Sequence, residues 1–121
     1  MVFPGTTVYA IDNSGALKLK CINILRKLKK SGHVSDIIIC SVQTYKQKYK
    51  IKKSDIIKSI AVHTNNRTKR PNGIIIRFFK NSIVIINLKN NPIGTRIKGP
   101  VTIELKNKKY TKIILLSKYV L

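Results

Sequence analysis

Acid–base catalysis needs His, Asp, Glu or an activated Cys gathered in one place. The groups of that kind here are Asp12, Asp36, Asp55, Glu104, His33, His63, Cys21 and Cys40. Asp12 and Ser14 lie in Asp12-Asn13-Ser14-Gly15, where such side chains bond their own backbone in a turn far more readily than they serve a nucleophile. Asp36 and Asp55 each open a β-branched run beside polar residues and read as turn or edge residues. His33 sits in a loop and His63 ends a strand, neither with further ligands at metal-binding spacing. Cys21 and Cys40 stand in apolar stretches without a Cys-x-x-Cys pair, which predicts reduced, buried thiols. The expectation is therefore no metal, no cofactor, no small-molecule substrate and no enzyme.

Cations are the residues that remain. The chain carries 25 Lys and Arg against four carboxylates, a formal net charge of +21 over 121 residues. That is far more than solubility requires, and it opposes compaction of an isolated chain. A polyanion must neutralise it, and nucleic acid is the commonest, since Lys and Arg displace the counterions condensed on closely spaced phosphates. An anionic membrane would call for a basic amphipathic helix or a span of about 18 uncharged apolar residues. Neither is present, so no membrane partner is expected. Met1 to Thr7 have neither a basic region followed by an apolar core nor an Arg-rich amphipathic look, so no signal or transit peptide is expected. Asn66-Arg67-Thr68 fits a glycosylation sequon, read as a chance match.

The cations cluster. Lys18 and Lys20 alternate with Leu17, Leu19 and Cys21. Lys46, Lys48, Lys50, Lys52 and Lys53 interleave with Tyr45, Tyr49 and Ile51, with no acidic residue among them. Arg67, Lys69 and Arg70 share one loop, and Thr95-Arg96-Ile97-Lys98 forms another. Arg binds phosphate through a bidentate fork and Lys as a point charge. Tyr45 and Tyr49 can stack on bases or pack on neighbouring Lys stems. Cations scattered over several loops suit a folded RNA that meets the protein on several sides, better than a duplex read by one helix.

Short β-branched runs must position these loops. Thr6 to Ile11 reads as a strand ending in the Asp12 to Gly15 turn, and Leu17 to about Leu25 as a half-buried strand with one basic side. Arg26 to Ser35 is a polar connection, Asp36 to Val42 a further strand, and Gln43 to Lys53 a projecting two-stranded ribbon. Ile56 to Val62 is a strand. Pro71-Asn72-Gly73 turns the chain into strands at Ile74 to Phe78 and Ile83 to Leu88. Many short strands with such turns favour a small closed barrel, which leaves no edge exposed. Past about residue 90 come Pro- and Gly-marked loops and two short helices, within Val101 to Lys106 and Thr111 to Ser117. Thr102 is the expected cap of the first, and Glu104 suits its positive end. One domain is expected over 1–121, the barrel filling about 1–90 and the loop and helix region about 91–121.

Taken together, several of these segments form a known order. Asp12-Asn13-Ser14-Gly15-Ala16, Arg70-Pro71-Asn72-Gly73 with Ile76-Arg77-Phe78, Asn91-Pro92-Ile93-Gly94-Thr95-Arg96-Ile97 with Gly99-Pro100-Val101 and Glu104-Leu105, then Lys112-Ile113 and Val120-Leu121 resemble the universal large-subunit ribosomal protein L-fourteen family over essentially the whole chain. The resemblance implies a mainly β fold: a small closed five-stranded β-barrel with a projecting β-ribbon and short C-terminal helices. It implies a structural constituent of the large ribosomal subunit that binds large-subunit rRNA and meets small-subunit rRNA at a bridge. Neighbours of the L-three and L-nineteen types are implied, as is a ribosome-silencing factor docking at Thr95, Arg96 and Lys112, with Lys98 in the same interface. The rRNA-binding set is then Asn13, Ser14, Lys18, Lys20, Lys46, Lys48, Lys50, Lys52, Lys53, Arg67, Lys69, Arg70 and Arg77. The chain departs from the bacterial pattern at His63, where Arg is usual, at Asn72 in place of Asp, and at Phe79-Lys80 in place of an Asp-Gly turn before Asn81.

The excess of Lys over Arg, with abundant Ile and Asn, is the signature of AT-rich codons. It points to an organelle genome, and with the resemblance the expected location is the mitochondrial matrix, in the mitoribosome, with plastid stroma and bacterial cytoplasm as alternatives. The rival function is a sequence-tolerant single-strand binder of small-barrel type that stacks bases on Tyr45, Tyr49, Phe78 and Phe79.

Overall fold

The computed structural model describes residues 1–25 and 30–121; the first part of the Arg26 to Ser35 connection therefore lies outside the described residues. Five strands close into the expected barrel: β1 (Thr7–Ala10), β2 (Ala16–Ile24), β3 (Ile37–Tyr45), β4 (Ile56–His63) and β7 (Ser82–Ile85). Neighbours along the chain pair antiparallel, and the ring is shut by a parallel pairing of β1 with β7, where Tyr9 faces Ser82 and Ala10 faces Ile83. Closure satisfies the backbone groups that an open sheet would leave at its edges.

Two apolar clusters sit on opposite faces of the same wall. Inside the barrel lie Val8, Leu19, Cys21, Ile38, Cys40, Val42, Ile83 and Ile85. Outside it, Ile60, Val62, Val84 and Ile86 meet Ile97, Val101, Leu105 and Ile113 of the C-terminal region. All four residues of β7 are buried, because one face looks into the barrel and the other lies under the helices. A continuous apolar run is what such a doubly covered strand requires. Cys21 and Cys40 stand opposite each other on β2 and β3 as buried free thiols. A hydrogen bond with Cys21 and burial both raise the Cys40 thiol, which holds it protonated.

Several expectations need correction. Leu17 was placed on the core side of β2, yet it is 40% exposed while Ala16 and Leu19 are buried. The register shifts between Ala16 and Lys18, between Lys18 and Leu19 and again between Cys21 and Asn23, and these irregularities reset which residues face inward. Residues 43–53 do not form a two-stranded ribbon. Gln43 to Tyr45 complete β3, after which the Lys46 amide donates to the Gly15 carbonyl (2.8 Å) and the chain runs through turns to Ser54. Tyr45 and Ile51 both pack on the barrel core, which folds this segment back onto the body. The two-stranded ribbon lies instead in the Arg67 to Ile76 region, where β5 (Thr68–Lys69) pairs with β6 (Ile75–Ile76) across an exposed Pro71-Asn72-Gly73 tip. The strand expected over Ile74 to Phe78 thus shrinks to two residues outside the barrel.

The expected helices are α1 (Glu104–Asn107) and α2 (Thr111–Leu116). Ile103, not Thr102, occupies the N-cap of α1, with no side-chain cap bond. Thr102 serves α1 through its backbone carbonyl, which accepts from the Leu105 amide at 3.3 Å.

Candidate nucleic-acid interface

Each of the four carboxylates is engaged within the chain. Asp12 accepts from the Ser14 hydroxyl (2.6 Å) and the Ile85 amide (3.0 Å). Asp36 accepts from the His33 amide and from Lys108 Nζ, both at 2.8 Å, and Asp55 from the Lys52 amide at 2.9 Å. Glu104 is held by Arg70. Burial pushes the Asp12 carboxyl up, while Arg70 pulls that of Glu104 down. With the acids so used, the outer surface is left to the cations.

A cleft of about 1180 Å³ opens where three turns and the tail of α2 converge, and Lys46, Arg96, Lys98 and Lys118 bring four cations to its lining. Its geometry depends on Asn13. That side chain's Oδ1 accepts from the Thr95 amide (2.7 Å) and the Arg96 amide (3.1 Å), while its Nδ2 donates to the Thr95 hydroxyl (2.8 Å). Gly94 is what permits the approach, because a Cβ there would stand 2.8 Å from Asn13 Oδ1. On the other wall Tyr49 lies against Gly15, whose φ of +106° disfavours a side chain and where an added Cβ would collide with Tyr49 Cβ. Tyr49 thus packs over Gly15 and is part of the cleft wall.

Sequence reading grouped Asn13, Ser14 and Arg70 with the RNA contacts. In the structure their polar groups already serve the fold. Ser14 bonds Asp12 and Asn13 clamps the Thr95-Arg96 loop, as above. Arg70 spans from the ribbon to the C-terminal region: Nε donates to Glu104 Oε1 (2.7 Å), Nη2 to Glu104 Oε2 (3.2 Å) and Nη2 to the Leu121 carbonyl (2.6 Å). The other grouped residues are exposed: Lys18 and Lys20 on the β2 wall, Lys46, Lys48, Lys50, Lys52 and Lys53 on the loop after β3, Arg67 and Lys69 on the ribbon, Arg77 after it, and Thr95, Arg96, Lys98 and Lys112 towards the C-terminus. Arg96, Lys98 and Lys46 meet in the cleft. Arg67 and Lys69 line a second, smaller hollow of about 450 Å³ with Lys108 and Glu104. Lys118 was missed in the sequence, because nothing near it signals that the tail of α2 returns to the Asp12 turn.

His63 joins the barrel to the loop that leads into α1. Its ring stacks on Phe78 (centroids 4.1 Å apart, planes at 16°), and Nε2 bonds the Pro100 carbonyl. A carbonyl only accepts, so Nε2 carries the proton. Burial lowers the basicity of this imidazole more than the bond to Pro100 restores it. Phe78 is thereby occupied and Tyr45 packs on the barrel core, so of the four aromatics of the rival single-strand reading Tyr49 and Phe79 are the two that remain exposed.

Among the described residues no group of three or more His, Cys, Asp or Glu is placed to hold a metal ion, and no helix is long and apolar enough to cross a membrane. What the arrangement can do is bind anions on several faces at once, through preformed loops. In comparison with known proteins, the family model described as Ribosomal protein L14p/L23e matches residues 1–121.

Proposed function

This chain belongs to the ribosomal protein L14p/L23e family, whose members are structural and not catalytic, and on that premise we propose that it binds large-subunit rRNA as a structural constituent of the large ribosomal subunit. The observation that carries the proposal is the distribution of charge: a net +21 on a barrel whose four carboxylates are all engaged internally. Such a body lowers its self-repulsion by meeting many phosphates, more than simple salt ions can do by screening alone.

The cleft walled by Lys46, Arg96, Lys98 and Lys118 and the ribbon cations Arg67 and Lys69 are the RNA contacts in this reading. The exposed Thr95, Arg96, Lys98 and Lys112 form the subunit-facing side, where small-subunit rRNA at a bridge, proteins of the L-three and L-nineteen types and a silencing factor are the proposed partners. The Lys, Ile and Asn bias supports an organellar ribosome, and the mitochondrial matrix is the compartment proposed. Sedimentation of a lysate, with this chain followed across the gradient, tests the proposal. Comigration with the large subunit is expected, and a chain left entirely at the top overturns the reading. Replacing Arg67 and Lys69 with Gln, with Arg70 kept to hold Glu104, should lower incorporation at raised salt. Unchanged incorporation would remove the ribbon from the interface.

A further inference from the structure

Phe79 is 99% exposed, although a phenyl ring is among the most costly side chains to leave in water. Isolated exposed apolar residues are common and by themselves mean little. The setting of this one is different, because the backbone on both sides of it is fixed. The Phe78 amide donates to the Thr64 carbonyl (3.2 Å) while its ring stacks on His63. Asn81 accepts from the Asn65 amide through Oδ1 (2.9 Å), and its carbonyl accepts from the Tyr9 amide (3.1 Å). Arg77 Nε reaches Asn65 Oδ1 (3.2 Å), and Lys80 Nζ lies 4.9 Å from the Tyr9 ring centroid. The segment therefore holds a bare ring outward, flanked by two exposed cations, at little further cost in backbone entropy on binding.

We propose that Phe79 is a base-stacking residue, its ring covering one face of an unpaired nucleobase in the bound RNA while Arg77 and Lys80 meet the phosphates beside that base. This rests on the rRNA-binding reading above and narrows it to one nucleotide position. Every base offers a π-face, and an aromatic ring between cations is the arrangement by which proteins hold unpaired nucleotides. An apolar pocket on a protein neighbour would accept the ring equally well but offers no negative charge to the flanking Arg77 and Lys80, whose side chains are exposed and, among the described residues, meet only neutral groups.

The chain has no Trp, so Phe79→Trp introduces a single indole at the proposed contact. The probe is protein-free large-subunit rRNA, titrated into this variant, the wild type and Phe79→Leu. Stacking on a base should quench the indole on binding, with affinity close to that of the wild type. Phe79→Leu keeps the apolar bulk and loses the flat π-face, and should bind about tenfold more weakly. Because the side chain is outside the core, both variants should unfold in urea at the wild-type midpoint. A wild type that binds while the indole stays bright and Phe79→Leu binds equally well overturns the stacking role alone. A wild type that does not bind the rRNA overturns the parent reading and this one together.

Discussion

Arg70 illustrates how one guanidinium can be worth more to the fold than to a ligand. Two bonds to Glu104 and one to the Leu121 carbonyl tie the β5–β6 ribbon to α1 and to the chain end. A partly buried, bidentate pair of this kind contributes on the order of 1 kcal/mol. Glu104→Gln should lower the urea midpoint by a corresponding amount. The sign with pH follows from the lowered Glu104 carboxyl: its contribution is complete above the ordinary value of 4.5 and is lost as the pH falls through the depressed value of the folded chain. Glu104→Gln should flatten that acid slope. His63 acts at a higher pH. Its imidazole is held below the ordinary 6.5, so the unfolded chain takes up the proton first and stability falls as the pH drops from about 6.5 to the lowered folded value. His63→Phe should abolish this loss, as read by thermal unfolding across that range, while giving up the bond to Pro100. Neither role was legible in the sequence. Arg67, Lys69 and Arg70 look alike in one basic loop, and what turns Arg70 inward is Glu104, 34 residues away.

At the scale of the element, turns decide where the cations stand. The Asp12 to Gly15 turn fixes the Thr95-Arg96 loop through Asn13 and carries the loop after β3 on Gly15. Asn13→Ala leaves the exposed Thr95 and Arg96 amides to water in place of their acceptor, at a cost of about 1 kcal/mol. Faster hydrogen exchange at those two amides, with β-barrel amides unchanged, is the expected result; uniform change would mean the clamp is part of the global fold. Gly15→Ala must displace Tyr49 and hold a side chain at φ +106°, which should cost about 2 kcal/mol. Strand positions were legible because β-branched runs and Asn-, Asp- and Gly-rich turns are local signals. The three register shifts along β2 were not, since they are set by pairing with β3, and they put Leu17 on the face opposite to the one its alternation predicts. Nor was the loop after β3. Its Lys and Tyr alternate with the period of a strand, but Tyr45 and Ile51 turn back to a core that alternation alone does not reveal. The same pattern drew the ribbon to residues 43–53, when the pairing that exists is four backbone residues across the Asn72 turn.

Over the whole molecule, charge and fold pull in opposite directions, and salt separates them. The barrel, its two apolar clusters and the internally bound carboxylates favour compaction, while the +21 net charge opposes it. Added salt shortens the range of repulsion to within about 8 Å near physiological strength, so the free chain should melt at a higher temperature as NaCl is raised. RNA binding should run the other way, because salt removes the gain from counterion release, with a slope in log affinity of roughly 0.7–0.9 for each phosphate met. Replacing Lys46, Arg96 and Lys98 together with Gln tests both halves in one protein. All three side chains are exposed in the cleft and none of the bonds described above uses them, so the variant should fold and, with less repulsion to overcome, be more stable than the wild type at low salt. If the cleft holds RNA, the slope should fall by about two, and affinity should drop most at low salt, where each phosphate contact is strongest. A variant that gains stability yet keeps the wild-type slope would show that repulsion within the cleft is real and that the phosphates lie on another face of the barrel.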